Sequence, residues 1–136
     1  KNLDDRQFKK AVLVLTTGMN IFLFISYVWP TGLDLRESIV YDLHTLSGNL
    51  LKFVQTVDTP KSVFPSMHVY VTLVLQYTLE MQKKLVPAWG IWVGRVLAVL
   101  IVLSTMFTKQ HSAVDVTAAI VMFAVLAIVT EKIVKK

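Results

Sequence analysis

The chain has 136 residues, of which 54% are hydrophobic and only 17% are charged, a balance that excludes an ordinary soluble domain and indicates a membrane protein. The net charge of +5 does not indicate nucleic-acid binding, because the Lys and Arg residues stand at the ends of apolar runs instead of forming a basic stripe. The sequence contains no cysteine, which excludes disulfides and thiolate chemistry within it.

Four apolar runs follow one another along the chain and predict membrane-spanning helices. They are Ala11 to Trp29, Ser66 to Met81, Ala88 to Phe107 and Ser112 to Thr130. At about 1.5 Å per residue the first run nearly matches a hydrocarbon core of roughly 30 Å. The apolar part of the second run, Val69 to Leu79, is too short for a span by itself. Extended to Ser66 and Met81, it is long enough only if neighbouring helices shield it or the bilayer thins locally. The predicted fold is therefore an all-α transmembrane bundle of about four spans, forming one membrane-embedded domain over residues 1–136.

A mixed segment between the first and second runs predicts an amphipathic helix. Its apolar residues recur at spacings of three and four, with charged and amide side chains off that stripe. The stripe consists of Leu35, Ile39, Leu43, Leu46, Leu50 and Phe53. We expect this helix to lie along the membrane interface or to pack on the bundle.

The distribution of cations predicts how the chain is oriented in the membrane. The N-terminal leader, the turn after the second run and the C-terminal tail carry nine Lys and Arg residues, whereas the two connections on the other side carry four. By the positive-inside rule both termini are predicted to be cytoplasmic. The polar residues at the starts of the second and fourth runs then share the extracytoplasmic face.

One of the polar segments at that face contains a histidine and an aspartate four residues apart, His111 and Asp115. On a helix this spacing brings the carboxylate to the imidazole, where it fixes the tautomer and leaves the other ring nitrogen free as a nucleophile. An acid in the first turn of a helix is also explained by the helix dipole alone. The pair therefore has a catalytic and a purely structural interpretation.

The second histidine, His68, follows Ser66 and a proline at the start of the second run. Ser66 is either a simple N-cap or part of an anion site, because a helix N-terminus offers free N–H groups and a positive dipole end to a phosphate. Arg36 and Lys109 are the cations available to the same anion, the first with bidentate geometry and the second as a point charge.

A metal site is the competing interpretation of His68, His111 and Asp115, since two histidines and a carboxylate can hold zinc or iron. No further acid is positioned to help, because the acids of the long connection show no ligand spacing; they are Asp34, Glu37, Asp42 and Asp58. The sequence therefore favours an anion site without a metal or another cofactor.

At these residues the sequence resembles the type 2 phosphatidic acid phosphatase superfamily of membrane lipid phosphatases and lipid phosphotransferases. The segment Pro65-Ser66-Met67-His68 matches the family's P-S-G-H motif with Met67 in the glycine place. Ser104, His111 and Asp115 match the spacing of its S-R-x5-H-x3-D motif, with Thr105 in place of the Arg.

The family's first motif, K-x6-R-P, is incomplete in this chain. Arg36 occupies roughly its place, but Glu37 follows where proline is expected, and Trp29 stands at the lysine position. Members of the family usually have six spans, so the resemblance implies that two N-terminal helices are missing from this sequence.

The resemblance implies metal-independent hydrolysis of a lipid phosphate monoester or pyrophosphate through a phosphohistidine intermediate at the extracytoplasmic face. His111 would be the nucleophile, Asp115 its orienting partner and His68 the general acid. The residues expected to bind the phosphate are Ser66, Ser104, Arg36 and Lys109.

The missing cations leave two alternatives open. One is a phosphotransferase of the sphingolipid-synthase type, which moves a headgroup from one lipid to another. The other is a non-catalytic membrane module that binds anionic lipid headgroups or a partner helix. The expected partners are in each case membrane components, a lipid substrate or ligand and the bilayer itself.

Overall fold

The computed structural model describes residues 5–30, 42–57, 64–108 and 111–134, which form five α-helices and no strand. In chain order the helices are α1 (Asp5–Val28), α2 (Leu46–Val57), α3 (Met67–Met81), α4 (Ala88–Phe107) and α5 (Ala113–Val134). The described part of the chain is therefore all-α, as the hydrophobic pattern predicts.

Three of the helices, α1, α4 and α5, are long and apolar enough to cross a membrane, which is consistent with an integral membrane protein. α4 has the predicted bounds of the third span, while α1 and α5 overlap the first and fourth spans. α3 has only 15 residues, or about 22 Å of helix, and does not reach the length of a span. Three of the four predicted spans therefore correspond to helices that are long enough to cross a membrane, and the second predicted span, α3, is not confirmed as one.

α3 is the central helix of the bundle, in contact with α1, α4 and α5, and α1 also packs against α5. The start of α1 lies beside the ends of α3 and α5, because Gln7 Nε2 donates to the Met81 carbonyl at 2.9 Å and Lys10 Nζ lies 2.7 Å from Glu131 Oε2. α3 and α5 therefore run opposite to α1, and their N-termini meet at the other end of the bundle. We call this end, which holds His68 and His111, the histidine end.

Tyr70 of α3 is the largest fully buried side chain among the described residues. Its hydroxyl donates to the Val14 carbonyl of α1 at 2.5 Å, and its ring meets Phe123 of α5 edge-on with 6.4 Å between the centroids. Gly18 of α1 lies against the same ring, and a Cβ there would overlap it. The close approach of α1 and α3 thus depends on a residue without a side chain, as is common between helices in membranes.

Polar side chains join the helices at the end opposite the histidines. Glu131 of α5 accepts hydrogen bonds from Lys10 of α1 and from the Tyr77 hydroxyl of α3, at 2.7 and 2.8 Å. Glu80 of α3 accepts one from Arg95 Nε of α4 at 2.6 Å. These contacts join α1, α3, α4 and α5 at that end.

α2 lies outside the core, and most of its surface is exposed. Leu46, Leu50 and Phe53 of the predicted apolar stripe are among the exposed residues, whereas Gln55 is buried. The part of the predicted amphipathic helix before residue 42 lies outside the described residues. An exposed apolar stripe suits a helix in contact with lipid, and its position at the interface stays a prediction.

Candidate functional site

His68 and His111, 43 residues apart in the sequence, meet at the histidine end. His68 Nδ1 lies 3.3 Å from His111 Nε2, with 58° between the ring planes. This distance is a hydrogen bond when one of the two nitrogens carries a proton and the other does not. His111 is buried and His68 is exposed, so His68 covers the facing nitrogen of His111 from outside.

His68 is the second residue of α3, and the cap of that helix fixes where it lies. Ser66 is the N-cap, and its hydroxyl accepts a hydrogen bond from the Val69 N–H at 3.4 Å. The Ser66 N–H donates to the Asp115 carbonyl at 3.2 Å. Ser66 is completely buried and joins the N-termini of α3 and α5. The capping role expected for it is confirmed, and phosphate binding by its hydroxyl stays a prediction.

Asp115 lies in the first turn of α5 and forms a capping box with Ser112. Asp115 Oδ2 accepts from the Ser112 N–H and hydroxyl at 2.7 and 2.8 Å, and the Asp115 N–H donates to the Ser112 hydroxyl at 3.3 Å. α5 begins at Ala113, so the premise that one helix carries both His111 and Asp115 is wrong. The orienting role of Asp115 toward His111 stays a prediction, next to the helix-end role that was its alternative.

His111 lies in the connection from α4 to α5, which is anchored on the C-terminal turn of α4. The His111 N–H donates to the Thr105 carbonyl at 3.2 Å. The Thr108 carbonyl accepts from Gln55 Nε2 of α2 at 2.7 Å. Thr105, the residue in place of the family's Arg, is itself buried, and its hydroxyl donates to the Val102 carbonyl. It therefore supports the histidine through its backbone.

Among the described residues, no contact is seen between the histidine pair and the remaining predicted phosphate ligands. Ser104 is exposed on α4, and its hydroxyl donates to the Ile101 carbonyl of the same helix at 3.0 Å. Arg36 and Lys109 lie outside the described residues. No group of three His, Asp or Glu side chains among the described residues is arranged to hold a metal ion.

An apolar cavity of about 700 Å³ opens beside the two helix starts. It is lined by residues of α1 and α5 and by Phe64 and Pro65, which directly precede Ser66 in the sequence. The lining residues of α1 include Ile21 and Ile25, and those of α5 include Ala113 and Val121. An apolar space of this size next to polar side chains suits a ligand with a polar head and a hydrocarbon tail.

Sequence reasoning missed two residues of this end, Gln55 and Ser112. The capping box is visible in the sequence as Ser112 followed three residues later by an acid. Gln55 leaves no such signal, because its bond to the Thr108 carbonyl joins segments 53 residues apart.

Comparison with protein-family models, with curated proteins and with solved structures finds no match to this chain.

Proposed function

We propose that this chain is an integral membrane lipid phosphatase of the type 2 phosphatidic acid phosphatase superfamily. It hydrolyses a lipid phosphate monoester or pyrophosphate through a phosphohistidine at the extracytoplasmic face. The observation that carries the proposal is the 3.3 Å approach of His68 Nδ1 to His111 Nε2. The two motif histidines supply a nucleophile and an acid for one phosphoryl group, and nucleophilic catalysis needs such a pair.

The hydrogen bond between the rings suits the roles assigned to them. When His68 Nδ1 carries the proton and donates it in this bond, His111 Nε2 is the unprotonated acceptor, and its lone pair can act as a nucleophile once the rings separate. That lone pair forms the N–P bond while the P–O bond to the lipid breaks, and His68, protonated on both ring nitrogens for this step, gives its Nδ1 proton to the leaving oxygen and becomes a neutral imidazole. Water then attacks the phosphohistidine and gives a proton to His68. Inorganic phosphate leaves, and both rings return to their first states.

Substrate binding requires the two rings to separate. A nucleophile stands about 3–3.5 Å from the atom it attacks before reaction, and the leaving oxygen and its hydrogen bond to His68 lie beyond that atom. The resting distance of 3.3 Å leaves no room for a phosphoryl group between the nitrogens. Because His68 is exposed and His111 is buried, rotation of the His68 side chain is the simpler way to open the site.

The surroundings favour a phosphate with a lipid tail. The starts of α3 and α5 are joined through Ser66 and Asp115, so two positive helix-dipole ends meet near the histidines and favour an anion. The apolar cavity begins beside Ser66 and suits a hydrocarbon chain. α3 acts as a fourth, short span because α1, α4 and α5 surround it.

The test is phosphate release from a panel of lipid phosphates and pyrophosphates in detergent. His111→Ala is expected to lower turnover by at least about a thousandfold, since the covalent step is lost, and EDTA is expected to leave turnover unchanged. His44→Ala is the matched control, because His44 is exposed beside α2. Unchanged turnover in the His111 variant would refute the proposal. Wild-type protein that binds anionic vesicles without releasing phosphate from any substrate would support the non-catalytic alternative.

A further inference from the structure

Gln55 differs from its neighbours in α2 because it is buried while the residues around it are exposed. It is only 7% exposed, whereas Phe53 and Val57 are 65% and 68% exposed. A primary amide is buried at a cost in free energy unless its polar atoms are paired. Its Nε2 donates to the Thr108 carbonyl at 2.7 Å, and this hydrogen bond offsets part of the cost of burying the amide.

The acceptor of that bond is placed where it affects His111. Thr108 is the C-cap of α4, and the last carbonyls of a helix have no N–H partner within the helix. Two of these carbonyls accept hydrogen bonds from groups that lie outside α4. Gln55 binds the Thr108 carbonyl, and the His111 N–H binds the Thr105 carbonyl. α2 and His111 are therefore held by the same helical turn.

We propose that Gln55 is a positioning residue, which holds the α4–α5 connection so that His111 Nε2 faces His68. The inference rests on the proposed function for its kinetic consequence. Gln55 acts through Thr108, which ends the helical turn whose Thr105 carbonyl accepts the His111 N–H. A displacement of about 1 Å at a reacting nitrogen costs on the order of a hundredfold in rate, so one hydrogen bond at this place has a measurable effect.

The first measurement compares two variants that keep the length of the side chain. Gln55→Glu replaces the N–H donor with an oxygen that repels the Thr108 carbonyl, and Gln55→Met removes the donor without adding charge. Both are expected to lower kcat for phosphate release by 10- to 100-fold, on the order set by a 1 Å displacement, while KM stays within about twofold. Asn49→Asp is the matched control, because Asn49 is an exposed amide of α2 whose bonds stay within residues 43–49.

The second measurement does not need activity. Diethyl pyrocarbonate modifies accessible unprotonated imidazoles, and peptide mass spectrometry reports each histidine separately. His111, at 8% exposed, is expected to react slowly in the wild type, and its rate relative to exposed His44 is expected to rise on the order of tenfold in both Gln55 variants, as one hydrogen bond is lost. The Asn49 variant keeps the wild-type ratio.

The outcomes separate the two proposals. If wild-type protein releases no phosphate but the His111 reaction ratio rises in both variants, the proposed function fails and the positioning role stands. If wild-type protein is active and neither kcat nor the reaction ratio changes in Gln55→Met, the positioning role is refuted. A variant that loses helicity by circular dichroism is set aside, and the other variant decides.

Discussion

Gly18→Ala tests the packing of α1 against α3. A Cβ at this position would overlap the Tyr70 ring, and overpacking of this kind costs about 1–3 kcal/mol. Moving the ring also breaks the Tyr70 bond to the Val14 carbonyl, worth about 0.6–1.7 kcal/mol between helices in a membrane. The better helix propensity of Ala returns up to about 1 kcal/mol. We therefore expect a net loss of about 2 kcal/mol in the free energy of unfolding.

The assay is equilibrium unfolding by SDS in mixed micelles, followed by circular dichroism. Gly90→Ala is the matched control, because a Cβ there would meet Val86 Cγ1 at 3.2 Å and the Pro87 ring at 3.8 Å or more, without overlapping either. Its effect is expected to stay within about 0.5 kcal/mol. In a Tyr70→Leu background the cost of Gly18→Ala should fall to near zero, since the overlapping atoms are gone. A neutral Gly18→Ala, or a cost that persists without the tyrosine, refutes the packing argument.

Two further predictions concern the ends of α5. The side chains of the Lys10–Glu131 pair are 16% and 35% exposed, so solvent screens part of their attraction. Reversing one of the two charges should lower the free energy of unfolding by about 1 kcal/mol. Reversing both should restore most of the lost stability in the same SDS titration. At the histidine end, Ser112→Ala removes the cap hydroxyl and should cost about 1 kcal/mol in the free energy of unfolding, with little change in kcat. Asp115→Asn should lower kcat for phosphate release by more than tenfold if the carboxylate orients His111. Equal loss of kcat in both variants would mean that Asp115 acts only as a cap.

The long apolar helices could be predicted from the sequence because their signal is local. α4 begins at Ala88 and ends at Phe107, as the apolar run does, since proline precedes it and polar residues follow. The convergence of His68 and His111 at one end could also be predicted. It needed only the alternation of span directions, which short connections between antiparallel helices impose.

The details of the histidine end could not be predicted in the same way. The relation of His111 to Asp115 was argued from helical spacing, but the capping box of Ser112 starts α5 after the histidine. Local cap chemistry therefore overrides a spacing argument at a helix boundary. Buried Gln55 donates a tertiary hydrogen bond to the Thr108 carbonyl, and the sequence around a single glutamine does not reveal an acceptor 53 residues away.

The short length of α3 affects the free energy needed to move a lipid from the bilayer to the proposed site. On the proposed topology, its 15 residues leave the helix about 8 Å shorter than a hydrocarbon core of roughly 30 Å. His68, near its start, then lies below the usual level of the lipid phosphates. Raising an acyl chain from the bilayer costs about 0.8 kcal/mol for each CH₂ exposed. On the proposed function, a recessed histidine would let the leaflet dip toward the site, and a lipid substrate would then react without that work of extraction.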